Sequence, residues 1–215
     1  MVRALGWLSA IFLGVGLIMA FGVAPRESTQ GNVQRIMYVH PPLAWVAYVA
    51  FAVVAVASIA YLVRRRPAAD HVAHASAEVG VVFTGLAIAT GSIWGKPTWG
   101  TWWTWDARLT SVAILFVMYV GYLLLRSTIE DHDRAARYCA VLGIVAALDM
   151  PLVHFSVYWW RTLHQPPSLM KPGGFTGSAA ILWPLLVNLG AFTLLYAYLV
   201  AKRTRLLRAE HGALA

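Results

Sequence analysis

Six apolar stretches, each long enough to cross a bilayer, leave this chain little choice of fold. They lie in the gaps between charged residues: Arg3 to Arg26, Arg35 to Arg64, Glu78 to Lys96, Arg108 to Arg126, Arg137 to Arg161, and Lys171 to Lys202. A crossing helix needs about 20 predominantly apolar residues. The second and last gaps are longer than that, and they contain His40-Pro41-Pro42 and Pro172-Gly173-Gly174, which read as loop leading into a helix. A chain of 215 residues that is 60% hydrophobic and 12% charged is also too apolar for a soluble domain. The expected fold is an all-α integral membrane protein, one transmembrane domain over residues 1–215 with six transmembrane helices. Ala20-Phe21-Gly22 weakly resembles a signal-peptide cleavage site, but the first apolar core exceeds the usual signal length, so it reads as a retained helix.

Orientation follows from the basic residues. Arg3, Arg64, Arg65, Arg66, Arg126, Arg134, Arg137, Lys202, Arg203, Arg205 and Arg208 share one side, against Arg26, Arg35, Lys96, Arg108, Arg161 and Lys171 on the other. The positive-inside rule then places both termini in the cytoplasm. The formal net charge of +8 needs no nucleic-acid partner, because most of these residues set topology and can touch membrane lipids. Three connections gather on the outer face, at about 24–40, 95–108 and 159–179.

The middle connection carries Trp94, Trp99, Trp102, Trp103 and Trp105, half of the chain's ten tryptophans, in Trp-Gly-Lys-Pro-Thr-Trp-Gly-Thr-Trp-Trp-Thr-Trp-Asp. Trp favours membrane interfaces, so an anchoring belt is the plain alternative. A belt, however, spreads one or two rings over each helix end. Here five rings alternate with Gly and Thr in one connection, which points to a platform for a flat ligand.

The neighbouring outer segments each bring a histidine, His40 at the entry to the second helix and His164 in Trp159-Trp160-Arg161-Thr162-Leu163-His164-Gln165. Imidazole is a common axial ligand of haem iron, and a porphyrin is a flat apolar disc with two carboxylates. Arg35, Lys96, Arg108 and Arg161 are the outward cations available to those propionates. Arg108 and Arg161 lie nearest the motif residues, and the planar guanidinium fork suits a carboxylate. Taken singly, His40 has a second reading as an interfacial or capping residue, and an isolated loop histidine such as His164 is more commonly just solvated.

The run Trp94 to Ser111, with Trp-Trp-Thr-Trp-Asp-Ala-Arg-Leu-Thr-Ser at its end, resembles the tryptophan-rich WWD signature of a haem-handling superfamily. Within it, Tyr38-Val39-His40-Pro41-Pro42 before helix two and Thr162-Leu163-His164-Gln165 after helix five resemble the cytochrome c maturation protein C family, over nearly the whole chain. The resemblance implies that His40 and His164 are axial ligands of haem b and that the WWD loop is the platform. It further implies a multi-pass protein of the bacterial inner membrane, working with an ABC-type transporter, a small single-span helper and a periplasmic haem chaperone. Two axial histidines leave iron no open site for chemistry, so such a protein holds and presents haem rather than turning it over. Asp106 is expected to orient the loop by accepting N–H bonds, not to touch iron.

Asp149 and His154 sit within the fifth apolar segment, where ionisable groups are costly and therefore candidates for function. His154 is read as a support for the platform or a bond to a neighbouring helix. The role of Asp149 is left open, a bond to a polar group on another helix being the plain alternative. His71, His74, His132 and His211 fall in cytoplasmic connections or the tail and read as solvated. Cys139 is the single cysteine, so disulfide and dithiol chemistry belong to partners. No phosphate-binding loop, nucleophile elbow or HExxH helix is present, so any ATPase is a separate subunit. The expected function is haem binding and delivery during c-type cytochrome biogenesis, without enzymatic turnover. The alternatives are a haem lyase, against which the short length argues, and a haem-translocating transporter subunit, for which facing helices show too few polar positions.

Overall fold

The computed structural model describes residues 2–166 and 177–214, with side chains through 210. All of its regular elements are helical, and six stretches are long and apolar enough to cross a membrane. The first is α1 (Val2–Ile18), extended by a π-helical turn over Met19–Val23. The second is a 3-10 turn (Val33–Tyr38) leading into α2 (His40–Arg64), and the third is α3 (Pro67–Trp99). Then follow α4 (Ala107–Thr128), the pair α5 (His132–Ala147) and α6 (Asp149–Trp159), and α7 (Ala179–Leu214). Lys171 and Pro172-Gly173-Gly174 lie outside the described residues.

The hairpin between α2 and α3 is closed by Arg65, which takes the left-handed conformation (φ 52°) and returns its N–H to the Tyr61 carbonyl. Pro67 then opens α3, where a missing N–H costs nothing. The two helices approach closely because Gly80 faces Phe51: a Cβ there would stand 2.7 Å from the Phe51 ring. Small residues allow such contact between apolar helices, where hydrophobic exclusion no longer drives association. The central core stacks Phe51 on Tyr119, with centroids 3.7 Å apart, over Val54, Tyr122 and Cys139.

Along the other flank α1 packs on α7. Asn188, fully buried, donates to the carbonyls of Gly16 and Pro184, one on each helix. Pro184 sits inside α7.

Two features depart from the sequence reading. The third apolar segment extends further than its charge-free core, so His71 and His74 lie within α3; His71 is buried and His74 pairs with Glu78 at 3.2 Å, neither standing as a solvated connection residue. The fifth segment is broken at Leu148. Pro151 follows three residues later and has no N–H to give the Ala147 carbonyl, so the helix restarts rather than continuing.

The ends of the bundle are now defined by contact. At one end Arg126 of α4 pairs with Asp70 of α3, Tyr61 of α2 donates to Asp133 of α5 at 2.6 Å, and Arg203 of α7 engages Glu78 of α3. The Trp-rich segment lies at the other.

Candidate functional site

The tryptophan end is built on α3. At 33 residues this helix is about 50 Å long by its rise per residue, well beyond a hydrocarbon core of about 30 Å. Its last turns therefore carry Trp99 as well as Trp94 on helix, where the sequence reading began the connection at about residue 95. Gly100, at φ 78°, ends the helix in a left-handed cap whose N–H returns to the Lys96 carbonyl, and Lys96 Nζ donates to the Gly100 carbonyl. Gly95 makes room for the loop as it folds back: a Cβ there would lie 3.1 Å from the Trp99 ring and 3.3 Å from the Thr101 carbonyl.

The loop is tied down at several points. Ser92 donates to the Trp102 carbonyl at 2.6 Å, Thr101 to the Trp103 carbonyl at 2.9 Å, and Trp103 meets Trp105 edge to face at 5.5 Å. Trp94, Trp99 and Trp103 are half-buried, whereas Trp102 and Trp105 are 57% and 78% exposed. Three rings form a supported wall and two project from it.

Asp106 holds the site together. One carboxylate oxygen accepts the Leu109 N–H at 2.8 Å and caps α4; the other accepts the Leu163 N–H at 3.1 Å. The carboxylate thus joins the Trp segment to the strand of chain bearing His164, through backbone N–H bonds alone.

His40 and His164 come to the two tryptophans on α3. His40 meets Trp94 edge to face at 5.9 Å, and His164 meets Trp99 likewise at 4.7 Å. His40 Nδ1 lies 3.0 Å from the Ala87 carbonyl and 3.2 Å from Thr90 Oγ1. A carbonyl only accepts, so Nδ1 carries a proton, and in the neutral imidazole Nε2 then keeps its lone pair. Gly91 leaves space for this ring: a Cβ there would stand 2.8 Å from His40 Cε1. His164 Nδ1 faces Asp106 at 4.0 Å, beyond hydrogen-bond length, and is buried without a hydrogen-bond partner among the described residues. Burial above all, then the charge of Arg108, pushes the His164 imidazole down to about 4 against the opposing pull of Asp106; charge on His40 pushes the same way. His164 is neutral at physiological pH, and both histidines lie within electrostatic reach of Arg108.

The outward cations separate into two groups. Arg35 donates to the carbonyls of Phe21 and Ala24, closing the π turn that ends α1, and Lys96 caps α3. Arg108 and Arg161 have no carboxylate within 4 Å among the described residues, and Arg161 is exposed. His154 lies on an exposed face of α6 against Phe155 at 5.0 Å, and no contact joins it to the Trp wall among the described residues. Asp149 stands at the break between α5 and α6, with one carboxylate oxygen buried and without a hydrogen-bond partner among the described residues.

Residues that the sequence reading missed are Ala87, Thr90 and Gly91, which seat His40, and Gln30, whose side-chain carbonyl accepts the Trp94 indole N–H at 2.9 Å. The first three occupy successive turns of an apolar helix and carry no chemical signal of their own. The spacing Gly91–Trp94–Gly95 within an otherwise apolar run was the one available hint.

Buried polar atoms without a hydrogen-bond partner among the described residues gather here: His164 Nδ1, Trp103 Nε1 and Thr104 Oγ1. Two imidazoles beside an aromatic wall, with two arginines that have no carboxylate within 4 Å among the described residues, fit a flat, dianionic, metal-bearing disc.

The family model described as Heme exporter protein C matches residues 1–213. A protein named Heme exporter protein C from Bradyrhizobium diazoefficiens is 48% identical over 211 residues, 96% of this chain and 80% of the relative. Its namesake from Escherichia coli K12 is 41% identical over 202 residues, covering 93% and 81%. A putative cytochrome c biosynthesis ccmC-like mitochondrial protein of Arabidopsis thaliana is 37% identical over 200 residues, covering 93% and 75%. The chain therefore belongs to the Heme exporter protein C family of multi-pass membrane proteins, whose role is haem handling in c-type cytochrome biogenesis.

Proposed function

We propose that this protein holds haem b at the periplasmic face of the bacterial inner membrane through His40 and His164, and presents it to a periplasmic haem chaperone. The observation that carries this reading is the seating of His40. Its Nδ1 proton is fixed by the Ala87 carbonyl, so Nε2 is set as a ligand atom before any metal arrives. His164, neutral and set against the same aromatic segment, is the natural second ligand. Asp106 lies behind its Nδ1 as Ala87 lies behind that of His40.

With both axial positions filled by imidazole the iron has no free site, which favours delivery over catalysis. Trp94, Trp99, Trp102, Trp103 and Trp105 form the platform, and Arg108 and Arg161 answer the propionates. The excess of basic residues at the opposite end supports cytoplasmic termini. ATP-driven steps then belong to separate ABC-type transporter subunits, with a small single-span helper in the same assembly.

Purification in detergent with haem quantified by optical spectra tests the ligands. His40→Ala, His164→Ala and the double variant lose haem or its six-coordinate low-spin spectrum, while His154→Ala keeps both. Variants that match the parent in haem content and spectrum would show the ligand assignment to be wrong.

A further inference from the structure

At the end away from the tryptophans, a groove of about 330 Å³ runs between α3 and α7. Its floor is made by Val79, Val82 and Phe83 of α3 and Leu199 of α7, with Val82 largely exposed. Its rim is Glu78 of α3 with Lys202 and Arg203 of α7. These rim residues mark one level of the membrane. Glu78 is the last charge on α3 before an uncharged run that ends at Lys96, and Lys202 is the first on α7 after the uncharged run from Ala179. The groove therefore crosses the boundary between hydrocarbon and headgroups, with its apolar floor on one side and its charges at the boundary itself.

The charges of the rim do not cancel. Arg203 gives two N–H bonds to Glu78 and one to Glu210, and His74 pairs with Glu78 as well, so both acids are answered. Lys202 has no carboxylate within 4 Å among the described residues, and its ammonium stands 5.9 Å from the centre of the Tyr198 ring. An occupant must answer both the cation and the floor. A helix about 10 Å across does not enter a groove of this size, and a small free anion has nothing to lay on the apolar floor. A phospholipid has an acyl chain for the floor and a phosphate for the ammonium. A net negative headgroup is favoured, since a zwitterion brings its own cation to the site.

We propose that this groove holds one anionic phospholipid, its acyl chain on Val82, Phe83 and Leu199 and its phosphate on Lys202. The lipid then adds to the Glu78–Arg203 bonds in holding α3 against α7. The site is separate from the tryptophan end and does not depend on how haem is held.

The test is native mass spectrometry of the delipidated full chain in detergent, titrated with phosphatidylglycerol or with phosphatidylcholine of the same acyl chains. The parent takes up one phosphatidylglycerol several-fold more tightly than phosphatidylcholine. Lys202→Gln weakens phosphatidylglycerol about fivefold, the worth of one basic contact with an anionic headgroup, and changes phosphatidylcholine less; Lys202→Arg keeps the parent's preference. Arg208→Gln, which removes a cation of the same helix outside the groove, keeps it too. Val82→Trp fills the place of the acyl chain and weakens both lipids with Lys202 intact. The proposal is overturned if the parent binds the two lipids alike, if Arg208→Gln weakens phosphatidylglycerol as much as Lys202→Gln does, or if glycerol 3-phosphate, which has no acyl chain, displaces the lipid at the lipid's own concentration.

Discussion

The two ends of this bundle spend their charges in opposite ways. At the end away from the tryptophans, acids and bases answer one another: Asp70 holds Arg126, Glu78 and Glu210 hold Arg203, and Asp133 takes both Tyr61 and Arg137. At the tryptophan end, both acids are spent chiefly on backbone. Asp106 accepts from the Leu109 and Leu163 N–H groups, and Glu27 accepts chiefly from the Gln30 N–H, then from the neighbouring Ser28 hydroxyl and the Thr29 N–H, bonds that hold its carboxyl below the usual carboxylate range. The basic groups there have no carboxylate within 4 Å among the described residues, and the end is electropositive. One end is closed and structural; the other is organised but incomplete, as a site for an anionic cargo must be.

The sharpest way to break this contrast is to open the closed end. Asp70 and Arg126 are both largely buried, with side chains 9% and 11% exposed, and removing one partner of such a pair strands the other. Arg126→Ala is expected to cost about 3–5 kcal/mol, seen as a large fall in thermal midpoint in detergent, with the low-spin haem spectrum unchanged in whatever protein remains folded. Equal loss of ligation and stability would show that the two ends are not independent.

At the tryptophan end the largest effect is expected from Gly91→Ala, whose Cβ would press on the His40 ring. Overpacking of this kind costs about 1–3 kcal/mol, and here it falls on the ligand, so haem affinity drops roughly tenfold while the midpoint of the haem-free protein moves little. A large fall in midpoint with unchanged affinity would mean that Gly91 serves helix packing only. Gln30→Ala frees the Trp94 indole N–H, costing about 1 kcal/mol; haem titration should show a several-fold loss, and none at all would remove Gln30 from the platform.

Mild acid is expected to do least. His164 titrates near 4 in the folded chain and near 6.5 when unfolded. The unfolded chain therefore takes up the proton first. The contribution to stability is complete above about 6.5 and erodes as pH falls toward 4, by less than about 1 kcal/mol at pH 6. The decline should be shallower in His164→Gln, measured by denaturation of the haem-free protein at pH 7.5 and 6; an identical decline in both would place the titrating group elsewhere.

Charge spacing made the six spans legible, because each loop is marked by Arg or Lys and each span is long. The break at Leu148 escaped that logic, since no charge but Asp149 interrupts the run and Pro151 alone signals a restart. The start of α3 escaped it for the opposite reason. Asp70 and His71 look like loop residues until α4 brings Arg126 to meet the acid. At the site, the Trp segment and two histidines stood out by residue type. Their seating did not, because periodicity tells which face a residue shares but not which helix comes to meet it. Ala87 behind His40, Gln30 behind Trp94 and Leu163 on Asp106 are joined across distances that no local pattern encodes.

The central claim is that His40 and His164 bind one iron. Electron paramagnetic resonance of the ferric-haem-loaded full chain, with nitrogen-15 histidine and double-resonance detection of the ligand nuclei, reads the axial atoms directly. The account predicts a low-spin iron with two imidazole nitrogens in the parent and one remaining in each of His40→Ala and His164→Ala. Two imidazole nitrogens persisting in either single variant would contradict it.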